Sequence, residues 1–342
     1  MTRFWIGGYG ADMDGDATGI GLLEGDEGRE PTTLAYRGAV AAASSPSWLV
    51  AHPSLDVVYA ALDCAGGVQA FVRNGDSSLA PLGGSVEAGA GVCHLAVAPG
   101  GGYLVASCYG DGRVVRIGLD AAGRLGTAVV ADAASDPHGA DAVRVSHAHA
   151  AAFLPDGRIA TTDLGFDLVR IWRPGPAGLV ADHRIVLPHG VGPRHMVVHP
   201  SGHLHVVTEY SCEVFTLAAG ADGRWALVSA TTVSPVAQVG ADYPSELSRS
   251  RDGATLYVGV RGSNTIGALR VRGSGEVVEP FALADSGVGW PRHHLIHDGA
   301  LLVAGQRSDQ ISVLDLDERT GAPRGIRHRT PAPAPTSILL AR

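Results

Sequence analysis

Short apolar runs, each closed by a tight turn, recur along the whole chain and are typical of β-strands in antiparallel hairpins. Each repeat opens on a polar or aromatic residue, continues as an apolar run and ends at a turn. The seven openings are PSWLVAHPS, VCHLAVAPGG, HAHAAAFLPDG, PRHMVVHPSG, PSELSRSRDG, PRHHLIHDG and a truncated PTSILL. A second, a third and a looser fourth apolar run follow the openings, and the sequence lacks a convincing amphipathic helix pattern.

The repeats recur every 44 to 55 residues, counted at the third residue of each opening. These anchor residues are Trp48, His94, His149, His195, Glu246, His293 and Ser337, and the assignment of His149 and His293 can slip by one position. Four strands at this period are typical of propeller blades. The N-terminal runs FWIGGYG, GIGLLE and TTLAYRG supply three strands, and residues 337–342 supply the missing innermost one. We therefore predict an all-β, seven-bladed β-propeller with four antiparallel strands per blade. It forms a single domain over residues 1–342, and N- and C-terminal strands share the blade that closes the ring.

The composition describes a globular protein with many turns. Hydrophobic residues make up 45% and charged residues 18% of the 342 residues, with 47 Gly and 20 Pro. The net charge of −8 gives no positive field of the kind that attracts nucleic acid, so no nucleic-acid partner is expected. No apolar run approaches a membrane span or a signal-peptide core, so we expect a cytoplasmic protein without a membrane partner. The four cysteines form no C-x-x-C pair and are expected to be buried as small hydrophobic residues. The sequence does not indicate an oligomeric state.

The predicted fold brings distant polar residues to one rim of the central channel. In a propeller the first strand of each blade lines the channel and the second runs antiparallel beside it. The start of the first strand and the end of the second therefore share a rim, which brings Arg194 and His195 close to Glu209. The same rule collects Trp48, Asp63, His94, Tyr109, His147, His149, Asp163, Glu246, Arg261, Arg292, His293 and Gln306. Three further histidines of the fifth blade fall at the opposite turn or in mid-strand, and a structural role is expected for His199, His203 and His205.

Charged side chains directed into a narrow channel must be paired or bind a ligand, so this rim is the candidate site. A zinc site is not expected, because His195 and His199 lie on a strand, where positions four apart are too distant to share a metal. The rim is also as rich in Arg as in carboxylate, which disfavours a divalent cation. We expect neither a metal nor a cofactor, and a small anionic molecule as the ligand. Two segments exceed the blade period, residues 132–146 and 236–243, and each is either functional or a tolerated surface insertion.

At these residues the chain resembles the seven-bladed lactonase family, which contains the propeller-type 6-phosphogluconolactonases and the fungal 3-carboxy-cis,cis-muconate lactonising enzymes. The resemblance runs nearly end to end and is most specific in SHAHAAAFLPDGRIATTDLG, GVGPRHMVVHPSGHLHVVTEYS, ELSRSRDGATLYVGVRG and the opening WIGGYG with GIGLLE. The catalytic residues that it implies are His149 in HAH, Arg194 in GPRH, Glu209 in TEY and Arg261 in VRG.

Three positions depart from the family pattern. Cys108 stands where Asn is usual, Val145 where Gln often follows the Arg of the insert, and Asp63 where Glu is common. These changes bear on the identity of the substrate more than on the class of reaction, because the insert is expected to contribute to substrate binding.

Lactone hydrolysis needs a base for water and cationic or hydrogen-bonding groups for the oxyanion. His149 is the better candidate base, because the unperturbed pKa of histidine is about 6.5. Glu209 is expected to orient a neighbouring group, and Arg194 and Arg261 to stabilise the carbonyl oxygen and hold an anionic group. Further substrate contacts are expected from His94, His195, Arg292 and Arg144.

Three functions remain open from the sequence. The first is hydrolysis of a sugar lactone, above all 6-phosphogluconolactone to 6-phosphogluconate, which would make the protein an enzyme of carbohydrate metabolism in the pentose phosphate pathway. The second is a cycloisomerase that closes a lactone from a carboxymuconate-type acid with the same groups. The third is a non-catalytic propeller that binds a ligand or a protein. The four residues carried over from the family favour an enzyme.

Overall fold

The computed structural model describes residues 2–25, 33–139, 143–176 and 178–341, and its strands form seven antiparallel sheets. In chain order, blade 1 begins with β1 (Arg3–Gly8), β2 (Gly19–Gly25) and β3 (Leu34–Ala42); blade 2 contains β4 (Pro46–Ala51), β5 (Val57–Leu62), β6 (Gly67–Arg73), β7 (Leu79–Pro81) and β8 (Val86–Glu87); blade 3 contains β9 (Val92–Val97), β10 (Tyr103–Cys108), β11 (Val114–Leu119) and β12 (Leu125–Val130). Blade 4 contains β13 (Ala148–Phe153), β14 (Ile159–Asp163), β15 (Leu168–Pro174) and β16 (Leu179–Val186); blade 5 contains β17 (Pro193–Val198), β18 (Leu204–Thr208), β19 (Glu213–Ala219) and β20 (Trp225–Thr232). Blade 6 contains β21 (Tyr243–Arg249), β22 (Thr255–Arg261), β23 (Thr265–Arg272) and β24 (Val277–Asp285); blade 7 contains β25 (Pro291–His297), β26 (Ala300–Gly305), β27 (Gln310–Leu316) and β28 (Pro323–Pro331); β29 (Pro335–Leu340) completes blade 1. A short 3₁₀ turn, Ala11–Met13, follows β1.

The ring closes as the sequence predicts. β29 pairs antiparallel with β1, and the sheet order is β29-β1-β2-β3, so the two ends of the chain share blade 1. The innermost strands contact one another in the cyclic order β4, β9, β13, β17, β21, β25, β29 and back to β4. The prediction of an all-β, seven-bladed propeller with mixed terminal strands is confirmed.

Blade 2 departs from four continuous strands. Its outer strand is split into β7 and β8, and both pair with β6. Pro81 ends β7, and proline has no N–H to continue a ladder. Gly83 follows at a φ of 81°, a left-handed conformation that interrupts a strand.

The hydrophobic core lies between the blades. β5, β14 and β18 are buried along their whole length, because neighbouring sheets cover both of their faces. Outer strands such as β28 alternate between exposed and half-buried positions. Two large buried tyrosines keep their hydroxyl groups bonded: Tyr59 donates to the Gly123 carbonyl at 2.8 Å, and Tyr257 donates to the Gly321 carbonyl at 2.7 Å. The core therefore holds the blades at a fixed distance and positions the rim.

Cys93, Cys108 and Cys212 are buried as expected, but Cys64 is exposed, so that part of the prediction is wrong. Cys64 lies in the turn after β5, where the chain leaves the packed sheet. None of the helical segments in the described ranges is long and apolar enough to cross a membrane.

Candidate active site at the channel rim

Six of the seven anchor residues form a layer across the channel, in which Trp48 is half-buried and the others are buried. The Trp48 ring lies 4.5 Å from His94, 5.1 Å from His195 and 5.2 Å from His293, measured between ring centroids, so it contacts residues of three other blades. The ring centroids of His149 and His195 are 5.2 Å apart. Glu246 joins the layer, with its Oε2 2.8 Å from His195 Nδ1. We call these residues the anchor layer.

Two predicted substrate contacts belong to this layer rather than to an open site. His94 and His195 are 8% and 4% exposed. His94 Nδ1 accepts a hydrogen bond from the Ala151 amide at 3.3 Å, which leaves the proton of the neutral ring on Nε2. Neither ring lines the cavity that lies beside the layer at the rim.

This rim cavity has a volume of about 290 Å³ and receives a side chain from every blade. Its lining residues are Tyr9 and Met13 of blade 1, Asp63 of blade 2, Cys93 and Tyr109 of blade 3, His149 of blade 4, Arg194 and Glu209 of blade 5, Arg261 of blade 6, and Arg292 of blade 7. The volume is close to the lower end of the range for small-molecule sites, which suits one sugar-sized ligand.

Glu209 holds two arginines on one wall of the cavity. Its Oε2 lies 3.0 Å from Arg194 Nε and 2.8 Å from Arg261 Nη2. Arg194 Nη1 also donates to the Ser245 carbonyl at 2.6 Å, and Arg261 Nε donates to the Tyr243 carbonyl at 2.9 Å. Burial and the neighbouring Arg261 cation lower the pKa of Arg194 to about 9, so its guanidinium is charged at neutral pH. Burial also lowers the pKa of Arg261, and the Glu209 carboxylate acts in the opposite direction. Two fixed cations therefore face the ligand space.

A β-bulge explains how neighbouring residues of β17 both reach the channel. Pro193 pairs with Thr208 and Met196 with Val206, so Arg194 and His195 together oppose a single residue of β18. Such a bulge redirects side chains that would otherwise alternate between faces. Arg194 lines the cavity while His195 enters the anchor layer. The pairing of the two inner strands shifts near the anchor residue in all seven blades.

His149 is neutral at ordinary pH. It lines the cavity, and its Nδ1 is enclosed without a hydrogen-bond partner among the described residues. Burial and the positive charge of Arg194 hold the pKa of His149 well below its usual value. The ring is therefore unprotonated and able to accept a proton, but it is a weaker base than the unperturbed histidine that the sequence suggests.

Arg292 is a third cation at the cavity and makes no ion pair in the described part of the chain. Its Nη1 donates to Gln306 Oε1 at 3.3 Å, and its guanidinium lies 4.9 Å from the centre of the Tyr9 ring. The position fits the predicted substrate contact, because a cation without a carboxylate partner is available to an anionic ligand.

Arg144, a predicted substrate contact, does not line the rim cavity. Its guanidinium forms ion pairs with Asp136, at 3.0 Å, and with Asp167, and it donates to the Gly165 carbonyl at 2.6 Å. These bonds fasten the insert to blade 4 and do not direct it into the rim cavity. Residues 140–142 of the insert lie outside the described residues. The second insert, residues 236–243, is held by Asp242, which accepts from the amides of Gln238 and Ser263.

Two further histidines lie outside the lining of the cavity. His147 stacks on Tyr109 with ring centroids 4.2 Å apart, and its amide donates to Asp163 at 2.9 Å. His199 lies at the opposite turn, where Nδ1 is 2.7 Å from Ser201 Oγ. No group of three or more His, Cys, Asp or Glu residues in the described ranges is arranged to hold a metal ion.

Three cavity residues are missing from the sequence prediction. Tyr9 follows β1, the second strand of blade 1, as Glu209 follows β18, so the strand-end rule finds it once it is applied to the incomplete blade. Cys93 reaches the cavity through the bulge between β9 and β10, and Met13 through the 3₁₀ turn. No periodic signal marks these two positions.

The comparisons with known proteins agree with this architecture. The family model for the lactonases with a 7-bladed β-propeller matches residues 3–340. The chain is 28% identical over 298 residues to an uncharacterized protein, YwcC, of Lactococcus lactis, covering 84% of this chain and 86% of the relative. It is 25% identical over 332 residues to the 6-phosphogluconolactonase of Bacillus subtilis, covering 94% and 93%. The periplasmic gluconolactonase PpgL of Pseudomonas aeruginosa has a similar fold, with a TM-score of 0.90 at 22% identity over 100% of this chain and 99% of that one. The chain therefore belongs to the seven-bladed β-propeller lactonase family.

Proposed function

We propose that the protein is a lactonase that hydrolyses a sugar lactone, and specifically 6-phosphogluconolactone to 6-phosphogluconate. One observation carries the proposal: a single cavity of monosaccharide size holds the neutral ring of His149 beside two arginines fixed by Glu209. These are the groups that ester hydrolysis needs, namely a proton acceptor and a preorganised positive charge.

In the proposed reaction a water molecule attacks the lactone carbonyl and gives its proton to His149. The carbonyl oxygen becomes negative, and Arg194 and Arg261 stabilise it, a contribution worth about 10²- to 10³-fold in rate for one good donor. Collapse of the tetrahedral intermediate breaks the ring C–O bond, and protonated His149 returns the proton to the leaving ring oxygen. Its lowered pKa makes the protonated ring a strong acid, which favours that second transfer.

The charge of the cavity supports the proposal that the substrate carries a phosphate group. Three arginines and two carboxylates line it, and Arg292 has no ion-pair partner among the described residues. An anionic group bound at Arg292 leaves Arg194 and Arg261 for the lactone carbonyl. The curated Bacillus subtilis relative carries the corresponding name. A cytoplasmic location, expected from the sequence, belongs to the same proposal.

A lactone-forming cycloisomerase is the second candidate. The three cavity arginines also suit an acid with several carboxylates, and the groups that open a lactone also close one. The two candidates predict different substrates, so turnover separates them.

The test measures turnover of freshly generated 6-phosphogluconolactone, glucono-1,5-lactone and 3-carboxy-cis,cis-muconate, with spontaneous reaction subtracted. We expect the highest kcat/KM on the phosphorylated lactone. Arg292→Met should lower that value about 10- to 100-fold and affect glucono-1,5-lactone much less, because a charged hydrogen bond contributes about 1.5–3 kcal/mol. Turnover of the muconate alone would overturn the proposal. An equal decrease in kcat/KM for both lactones in Arg292→Met would show that Arg292 does not bind the phosphate.

A further inference from the structure

Asp63 occupies the wall of the cavity opposite the arginine pair. It follows β5 of blade 2, and Glu209 follows β18 of blade 5, three blades further around a ring of seven. Both carboxylates line the same cavity. The cavity therefore has a wall with two cations held by Glu209 and a facing wall with a separate carboxylate.

The bonding of Asp63 is incomplete for a buried carboxylate. The residue is 7% exposed, the Tyr9 hydroxyl donates to its Oδ2 at 3.2 Å, and the neighbouring Ser47 side chain is a second hydrogen-bonding group that acts to lower its pKa. It forms no ion pair in the described ranges, and Arg292 is turned toward Gln306 and the Tyr9 ring. Burial raises the pKa of Asp63, while the positive charge of Arg292 acts in the opposite direction. A carboxylate accepts about four hydrogen bonds, so Asp63 keeps acceptor capacity for donors from a ligand in the cavity.

The Asp63 carboxylate determines the chemistry of such a ligand, which must donate hydrogen bonds. Hydroxyl groups are neutral donors, and one carboxylate accepts hydrogen bonds from two hydroxyl groups on adjacent carbons. A polycarboxylic acid brings negative charge to Asp63 and is repelled. The Tyr9 hydroxyl already donates to Asp63, and its oxygen remains an acceptor for a further hydroxyl.

We infer that Asp63 and Tyr9 form the subsite for the hydroxyl groups of a polyhydroxylated lactone, and that Asp63 selects such a ligand over a polycarboxylate. This inference rests on the proposed function for the reacting end of the ligand and adds the residue that recognises the sugar. It also explains how one cavity with three arginines discriminates between the two candidate substrate classes.

The variant Asp63→Asn tests the inference, because asparagine keeps the size and the Tyr9 hydrogen bond but loses the charge. Calorimetry measures the binding of 6-phosphogluconate and of tricarballylate, a tricarboxylate without hydroxyl groups. We expect Asp63→Asn to weaken 6-phosphogluconate binding about 10- to 100-fold and to leave tricarballylate binding equal or stronger. Asp285→Asn is the matched control, because Asp285 is exposed and its side chain accepts a hydrogen bond from the Gly287 amide at 2.8 Å, which the asparagine oxygen can also accept. It should change neither affinity.

The decisive result is that Asp63→Asn weakens the binding of 6-phosphogluconate but not that of tricarballylate, because a structural defect would weaken the binding of both ligands. An equal loss for both ligands, no change for either, or a wild type that does not bind 6-phosphogluconate would overturn the inference. Hydrolysis of 6-phosphogluconolactone by the wild type is measured in parallel. Binding that depends on Asp63 without hydrolysis would retain the subsite and refute the lactonase proposal, so the two failures are distinguishable.

Discussion

Glu209 is expected to hold the arginine pair in its reactive position, and Glu209→Gln tests this. The carboxylate oxygen lies within 3.0 Å of both Arg194 and Arg261, whose side chains are 3% and 7% exposed. Glutamine removes the negative charge and leaves two buried cations close together. Removing one partner of a buried pair costs about 3–5 kcal/mol, and we expect the lower part of that range because Glu209 is 17% exposed.

The unfolding entropy of about 2.1 cal/mol/K per residue converts 3 kcal/mol into a fall of about 4 °C in the unfolding temperature of a chain of 342 residues. Thermal unfolding by circular dichroism measures this shift. Lactone hydrolysis should fall about 10²- to 10³-fold, because the two cations lose their alignment toward the oxyanion. Glu213→Gln is the control, since Glu213 begins β19, does not line the cavity and makes no side-chain ion pair in the described ranges. A Glu209→Gln variant that matches Glu213→Gln in both stability and activity would show that Glu209 does not hold the arginine pair.

The remaining predictions concern pH. First, kcat/KM should stay level as the pH falls from 7.5 through 6.5 and decrease only well below, because the pKa of His149 is held far under its usual value; half-maximal activity near pH 6.5 would contradict this. Second, burial lowers the pKa of both His293 and His294 to about 4. The unfolded chain takes up these two protons near pH 6.5 and the fold only near pH 4, so stability should be lost as the pH falls between those values. Denaturant unfolding at several pH values measures the free energy of unfolding. Between pH 6.5 and pH 4 this free energy should fall less for His294→Gln than for the wild type. An equal fall in both proteins would count against a buried neutral ring at His294.

The sequence predicts most of the fold because the repeat period and the turn residues are local signals. It also places Arg194, His149, Glu209 and Arg261 at one rim, since strand ends meet there whatever the details of packing. Their catalytic roles stay predictions. Tyr9 follows from the same geometry once β1 is taken as the second strand of its blade.

Other features depend on packing that periodicity does not encode. Strict alternation places Arg194 and His195 on opposite faces, and only the bulge in β17 turns both toward the channel. The layer of Trp48 and four histidine rings across the channel likewise depends on closure of the ring, and His94 and His195 lie in it rather than in the lining of the rim cavity. Arg144 lies in an irregular loop, where its ion pairs with Asp136 and Asp167 fix a direction that no sequence pattern indicates.

We propose that one rim of the channel hydrolyses a lactone with its own side chains. The most direct measurement is stopped-time hydrolysis of freshly generated 6-phosphogluconolactone by the wild type, Arg194→Ala and His149→Ala, each with and without chelator and with spontaneous opening subtracted. Circular dichroism checks that both variants are folded. We expect rapid hydrolysis by the wild type, a loss of at least about 10²-fold in each variant and no effect of chelator. Wild-type activity no greater than background, or full activity in both folded variants, would show that this rim is not a lactonase site.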